Sequence, residues 1–277
     1  MNAGINTNIA SPAASAPPAG ISSPGRRLRR WWSDPLRKVL DLAFPPQCLL
    51  CETIDYSSTS FSGSYCSECA AQLCPIPINR CLCCGAEIGL YSVSEHGCTH
   101  CRHRRLQFES VTCLGMYEGP IRKAILAAKW SFSAVPIRSL GRLLAAERMD
   151  ELHLLKIDRV IPIPQHWRQR VFRHFNPAWI VAEEIASALQ VPCDPHLLYR
   201  QRQTRAQKRV PVSQRFGNQA DAFALQDVHI VEGERILLVD DVLTTGATCS
   251  EATKLLRQKG AEECHVAVLA RVLDSSA

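Results

Sequence analysis

The sequence predicts an α/β protein, with a parallel-sheet domain preceded by a small cysteine-rich module. Three observations carry this. From about Ser110 onward, short apolar runs alternate with segments of helical period, the pattern of a parallel sheet with crossover helices. One of those runs, 236–239, meets two adjacent carboxylates and a Thr/Gly-rich turn that leads into a helix. Upstream, four Cys-x-x-Cys pairs follow one another between Cys48 and Cys101.

Length and composition leave room for both parts. The 277 residues are 46% hydrophobic and 21% charged, which suits a packed core. A formal net charge of +6 suits an anionic ligand and is too mild to demand nucleic acid. No apolar run is long enough to span a bilayer, so no transmembrane segment is expected. The first residues lack the basic start and apolar core of a secretory signal, and a cytoplasmic location is the expectation.

Residues 1–43 read as an N-terminal tail. Residues 1–25 are rich in Ala, Ser, Pro, Gly and Asn without any period, the composition of a disordered segment. Arg26, Arg27, Arg29 and Arg30 then adjoin Trp31 and Trp32. This cluster suits nucleic acid or an anionic surface; the alternative is a helix start whose Leu36, Val39 and Leu40 pack on the next domain.

Residues 44–105 form the cysteine-rich module. Fourteen cysteines in a reducing compartment point to metal before disulfides. Cys48 and Cys51 are followed by Cys66 and Cys69, and Cys81 and Cys84 by Cys98 and Cys101. Each Cys-x-x-Cys turn sets two thiolates on one side of a knuckle, and two knuckles complete a Cys₄ tetrahedron for structural Zn²⁺. A redox dithiol would explain one pair but not four. Spacing leaves open whether the knuckles pair in sequence or crosswise, and whether Cys83 substitutes for Cys81. His96, His100 and His103 are further candidate ligands. With few large apolar residues nearby, metal is expected to stand in for a core. Cys74, Cys113, Cys193, Cys249 and Cys264 are isolated and read as small hydrophobes.

Residues 110–277 form the sheet domain. Residues 111–117 read as a strand, and Pro120 suits position N1 of a helix carrying Ile121, Ile125, Leu126 and Lys129. A second amphipathic helix covers roughly 136–149. Residues 159–164 are a short apolar strand that its prolines must end or place at an edge. Residues 176–189 are helical, and 264–272 form the last strand, after a helix stopped by Gly260.

The richest stretch is Arg235-Ile-Leu-Leu-Val-Asp-Asp-Val-Leu-Thr-Thr-Gly-Ala-Thr248. Its apolar start suits a strand buried on both faces, broken by Asp240 and Asp241. Thr244, Thr245, Gly246, Ala247 and Thr248 then lead into a helix over 249–259. A small polar loop before a helix N-terminus aims backbone N–H groups at a phosphate, and Gly246 allows close approach. The carboxylates only accept hydrogen bonds, so they suit sugar hydroxyls or hydrated Mg²⁺. Thr248 with Glu251 also fits a capping box, the bland alternative for part of this loop. Two basic loops fall near strand ends. One spans 165–175 and carries Arg168, Arg170, Arg173 and His174; the other spans 199–218 and carries Arg200, Arg202, Arg205, Lys208, Arg209 and Arg215. Arginine forks suit a pyrophosphate.

Residues 237–248 resemble the phosphoribosyl-pyrophosphate (PRPP) signature of type I phosphoribosyltransferases. The order of parts is similar to the ComF/GntX family of competence-associated proteins, which join an N-terminal zinc module to a phosphoribosyltransferase-like domain. Tyr117-Glu-Gly-Pro-Ile-Arg-Lys123 with Lys129-Trp130 resembles that family's opening segment, and Ile161-Pro-Ile-Pro164 its strand before the arginine loop. Thr204, Gln207, Arg215, Asn218 and Ala222-Phe223 resemble its flexible loop and following strand. The chain departs from the family at His174-Phe-Asn-Pro177, where Gly-Phe-Asn-Gln is usual; loss of the glycine and gain of proline alter the backbone there. The resemblance implies that Asp240 and Asp241 take the ribose hydroxyls and Thr244 to Thr248 the 5′-phosphate. Arg168, Arg170 and Arg173 would then hold pyrophosphate with Mg²⁺, and Arg205 and Lys208 would sit on a closing loop. It implies either transfer of phosphoribosyl to a nitrogen nucleophile or a non-catalytic role handling single-stranded DNA with DNA-uptake proteins.

Overall fold

The central sheet is built from the apolar runs that the sequence marks out. The computed structural model describes residues 47–54, 64–75, 79–89, 93–94, 97–104, 106–165, 175–201, 222–226 and 231–273. The N-terminal tail of 1–43, with its Arg/Trp cluster, lies outside them. Among the described residues, the cysteine-rich part holds α1 (Ser67–Leu73) and a small ribbon, β1 (Val93–Ser94) with β2 (Gly97–Cys98). Then come β3 (Val111–Met116), α2 (Gly119–Trp130), α3 (Val135–Glu147), α4 (Met149–Leu154) and β4 (Arg159–Pro162). The chain continues through α5 (Pro177–Leu189), β5 (Leu198–Arg200), β6 (Phe223–Leu225), β7 (Arg235–Leu243), α6 (Ala247–Gln258) and β8 (Glu263–Arg271).

Four strands form a parallel sheet in the order β3-β8-β7-β4. Beyond β4 the chain adds one parallel bridge, Val160 to Cys193. There Val160 N–H donates to the Pro192 carbonyl at 2.9 Å, and Asp194 N–H donates to the Val160 carbonyl at 2.9 Å. β5 and β6 pair separately and antiparallel.

Side chains alternate along β7, and the two faces bury different partners. Leu237 and Val239 join Ile125 of α2, Leu140 of α3 and Val181 and Ile185 of α5. Ile236 and Leu238 join Ala252 and Leu256 of α6 with Leu198 and Phe223 of the small antiparallel pair. Both faces being covered, β7 reads as a continuous apolar run, as parallel strands do. α3 and α5 approach closely at Gly141, where a Cβ would stand 3.2 Å from the Val181 Cα. A glycine thus lets the helices pack closely at that crossing, where any added Cβ would press on α5.

Three expectations are corrected. The aspartates do not break the strand: β7 runs on to Leu243, with Asp240 paired to Val268 of β8. The next helix starts earlier than 249, at Ala247, with Gly246 at the cap in the left-handed region at φ 81°. Thr248 thus stands in the first turn and not at the cap. Nor does metal replace a core around the first knuckles. Cys48, Tyr65, Cys66 and Leu73 are buried in the same cluster as Leu114, Ile121 and Ile137 of the sheet domain.

The cysteine-rich part also closes one side of the sheet. β3 is an edge strand, and its outer groups would otherwise be an unpaired template. Val111 N–H donates to the Leu82 carbonyl at 2.8 Å. The Cys113 carbonyl accepts from Arg80 at 3.3 Å and from Arg148 at 2.9 Å, and Arg148 also reaches the Leu114 carbonyl at 2.9 Å. Arg80 is itself held by an ion pair to Glu151, whose other oxygen accepts from the Thr112 hydroxyl at 2.6 Å.

Candidate ligand site and metal centres

Chain direction in the sheet locates a crevice. From β4 the chain runs outward through α5 to the bridge at Cys193; from β7 it runs inward through α6 to β8. Such a switch point opens a cleft beyond the C-terminal ends of the two strands, where α/β proteins bind ligands. Asp240 and Asp241 end the buried run of β7 at that cleft.

Because neighbours on a strand face opposite ways, the pair straddles the end of the sheet. Asp241 lies on the helix α2 side, where Lys129 Nζ meets its Oδ2 at 2.6 Å. Asp240 shares its face with Ile236 and Leu238, and the positive charge of Arg200 acts on it from the antiparallel pair. Arg200 is fixed there: its Nε donates to the Pro164 carbonyl at 3.1 Å, and its guanidinium lies 4.9 Å from the centre of the Phe223 ring. Burial, with the Asp241 charge adding to it, pushes the Asp240 carboxyl up to about 7; the Asp241 N–H bond to Asp240 Oδ1 at 2.8 Å, with Lys129 and Arg200, works against that rise. Burial lowers the Arg200 guanidinium somewhat, and Asp240 opposes it.

The polar loop comes next in the chain. Thr245, Gly246, Ala247 and Thr248 are buried, and Thr244 is half-buried. The Thr245 hydroxyl accepts from the Ala247 N–H at 3.3 Å. A Cβ on Gly246 would stand 2.9 Å from Leu106 Cδ2 and 3.2 Å from Phe108 Cζ, so both conformation and space demand glycine. Across the cleft, Asn176 caps α5: its Oδ1 accepts from the Ala178 N–H at 3.1 Å, and its Nδ2 donates to the Ile163 carbonyl at 3.1 Å. That ties the end of the 165–175 loop to the end of β4.

The cysteines resolve into two sets, Cys48, Cys51, Cys66 and Cys69, and Cys81, Cys84, Cys98 and Cys101, each with its sulfurs within 4.8 Å of one another. The knuckles therefore pair in sequence, and Cys81, not Cys83, completes the second set. Measured Sγ···Sγ separations are 3.7 Å for Cys51–Cys66, 3.6 Å for Cys84–Cys98 and 3.8 Å for both Cys81–Cys101 and Cys98–Cys101. Zn–S bonds of about 2.3 Å in a tetrahedron give edges of about 3.8 Å, so the cages fit zinc. They are far longer than a disulfide, and all fourteen cysteines are free. Cys66 N–H also donates to Cys48 Sγ at 3.4 Å, a bond that suits a thiolate. His100 and His103 belong to neither set, and His96 lies outside the described residues. Cys74, Cys113, Cys249 and Cys264 are buried as small hydrophobes, and Cys193 is half-buried.

The structure thus brings Asp240, Asp241 and Thr244 to Thr248 together. Arg168, Arg170, Arg173, Arg205 and Lys208 lie outside the described residues. Arg200, expected on the basic 199–218 loop, stands instead on strand β5 and faces Asp240. Lys129 and Arg271 are the members that the sequence reading does not assign to the site. Lys129 falls on the apolar stripe of a helix and Arg271 at a strand end; the family likeness at Lys129-Trp130 signals the first.

Sheet, cleft loop and paired Cys₄ cages define a phosphoribosyltransferase-type domain carrying a double zinc ribbon. Residues 178–276 match the phosphoribosyl transferase domain, and residues 39–103 the double zinc ribbon domain. The chain is 31% identical over 210 residues to competence protein F of Haemophilus influenzae, covering 74% of this chain and 90% of that protein. It is 28% identical over 195 residues to DNA utilization protein YhgH of Escherichia coli (strain K12), covering 68% of this chain and 83% of that one. The chain belongs to the ComF family. Among solved structures it resembles adenine phosphoribosyltransferase from Leishmania tarentolae, with a TM-score of 0.32, 14% identity, and coverage of 60% of this chain and 94% of that one. A likeness of that size carries no residue roles. Among the described residues no helix is long and apolar enough to cross a membrane.

Proposed function

We propose that the protein binds PRPP with Mg²⁺ in the cleft between β4 and β7. The observation that carries this reading is the acidic pair near the C-terminal end of β7, flanked by Lys129 and Arg200 and followed, after Val242 and Leu243, by a largely buried Thr-Gly loop at the start of α6. Asp240 and Asp241 would accept from the ribose hydroxyls, with Asp241 exchanging its bond to Lys129 for one to the sugar. The loop N–H groups and threonine hydroxyls would take the 5′-phosphate. Mg²⁺, held by oxygen ligands, would offset charge on the pyrophosphate. Lys129, released from Asp241, becomes a cation available to the ligand's anionic groups. As the C1–O bond of PRPP breaks, positive charge grows on the ribose and negative charge on the leaving pyrophosphate. The carboxylates and the fixed cations of the cleft stand in position to favour that separation.

Calorimetry with PRPP and Mg²⁺ tests the binding. Asp240→Asn with Asp241→Asn should abolish it while both zinc ions stay bound; unchanged affinity in the double variant refutes the reading. Turnover is tested by pyrophosphate release across a panel of bases and amines, and silence across the panel leaves a binding protein.

The names of the relatives favour placing this activity in competence and DNA utilisation, and with it a second reading as a factor that handles single-stranded DNA. Salt-dependent binding lost in an Arg168→Ala, Arg170→Ala, Arg205→Ala variant supports that reading. Affinity indifferent to salt and to those changes removes it.

A further inference from the structure

We propose that the second zinc site is a working part of the phosphate loop, joined to it by Arg271 as a positioning residue. Arg271 is only 2% exposed, although it ends β8. Its Nε donates to the backbone carbonyl of Cys84, one of the four second-site cysteines, at 2.9 Å. Its Nη1 donates to the Leu243 carbonyl at 3.1 Å and also reaches the carbonyls of Thr244 and Val272. One buried guanidinium therefore holds both the knuckle and the first peptide of the loop.

The geometry of a peptide makes that hold directional. In a planar trans unit the carbonyl and the following N–H point opposite ways. With the Thr244 carbonyl drawn to Arg271, the Thr245 N–H must point away from the guanidinium. Arginine's rigid fork suits several carbonyls at fixed angles, which a lysine's single ammonium does not.

Two further ties run from the same zinc site. Leu106, a few residues beyond Cys101, packs both on the second cysteine cluster and on the sheet core, and with Phe108 it closes over Gly246. Between them, Gln107 N–H donates to the Ser250 hydroxyl in the first turn of α6 at 3.4 Å. The first zinc site makes its attachments elsewhere: Tyr65 Oη donates to the Pro136 carbonyl at 3.5 Å, and the Ser139 hydroxyl to that of Ser64 at 3.1 Å. The two cages therefore differ in role. The first is docked on the start of α3, while the second sets the shape of the loop.

This rests on the loop being the phosphate site proposed above. Coupling between two sites is reciprocal, so a ligand on the loop must strengthen retention of the second zinc by the same factor that zinc strengthens the ligand.

The test titrates the wild-type protein with a colorimetric chelator to equilibrium, with and without saturating PRPP and Mg²⁺. One of the two ions should be held at least about fivefold more tightly with PRPP, the lower end of usual coupling. Arg271→Lys should keep both ions by native mass spectrometry, bind PRPP about tenfold more weakly, and lose the protection. Two ions held with affinities indifferent to PRPP, in a protein that calorimetry finds bound to it, overturn the proposal. Hydrogen exchange over residues 243–250 reads the tie without any ligand. Exchange should quicken in Arg271→Lys and when the chelator has taken the second ion, and unchanged exchange in both also overturns the proposal. Quickened exchange in a protein that never binds PRPP supports the mechanical tie and refutes the ligand reading instead.

Discussion

The most informative perturbation is Lys129→Met, read through the titration of Asp240. Burial and the neighbouring Asp241 charge raise that carboxyl from 3.8 to about 7, and the Lys129 charge is one of the forces holding it down. Ligand hydroxyls need the ionised, accepting form, so affinity for PRPP should rise as pH increases through about 7. Removing Lys129 takes away an opposing cation and also leaves Asp241 unpaired, so the midpoint must move upward. A cation this close shifts a carboxyl by about 1–3 units, and Lys129 bonds the neighbouring aspartate, so the low end applies. One unit corresponds to about 1.4 kcal/mol. At pH 7 the ionised fraction would fall from about a half to about a tenth, and at pH 9 the difference would nearly vanish. Calorimetry from pH 5.5 to 9 reads the midpoint, and an Asp240→Asn profile subtracts titration of the ligand's own phosphates. A midpoint unmoved by Lys129→Met refutes the reasoning. The stability sign is opposite. A carboxyl raised in the folded state helps the fold below about 4, and that help is lost as pH rises through about 7.

Gly246→Ala places a side chain at φ 81° and drives a Cβ toward Leu106 and Phe108. It should cost about 1–2 kcal/mol in urea unfolding and weaken PRPP binding further, and a neutral result would show that the loop relaxes freely. Native mass spectrometry should find two zinc ions per chain, falling to one in Cys84→Ser; disulfides in their place would refute both cages.

Much of this site is legible in the sequence because its chemistry is consecutive. Asp240, Asp241 and the Thr-Gly loop lie within one strand and one turn, so the sequence order is the spatial order. The four Cys-x-x-Cys units are local in the same way, yet their pairing depends on how distant turns meet, and spacing alone admits two arrangements. Lys129 and Arg271 escape such a reading because each reaches the cleft from a different element, whereas Arg200 is marked by its basic neighbours but not by the strand that holds it. Arg271 sits at the end of a strand that reads as solvent-facing by its charge alone, and backbone carbonyls from separate segments help make its burial favourable. Carboxylates disfavour sheets, which makes Asp240 look like a strand end, but backbone pairing to β8 outweighs that preference.

The covering of β3 decides how the protein can be divided. An isolated fragment beginning at residue 110 would keep every strand of the parallel sheet and still lose Leu82, Arg80 and the groups they occupy on Val111 and Cys113. Its outermost strand would then offer the bare Val111 amide, and a Cys113 carbonyl held by Arg148 alone, to any passing extended chain. Expression of the phosphoribosyltransferase-type half alone should yield material that associates edge to edge, a tendency the cysteine-rich part opposes by covering β3.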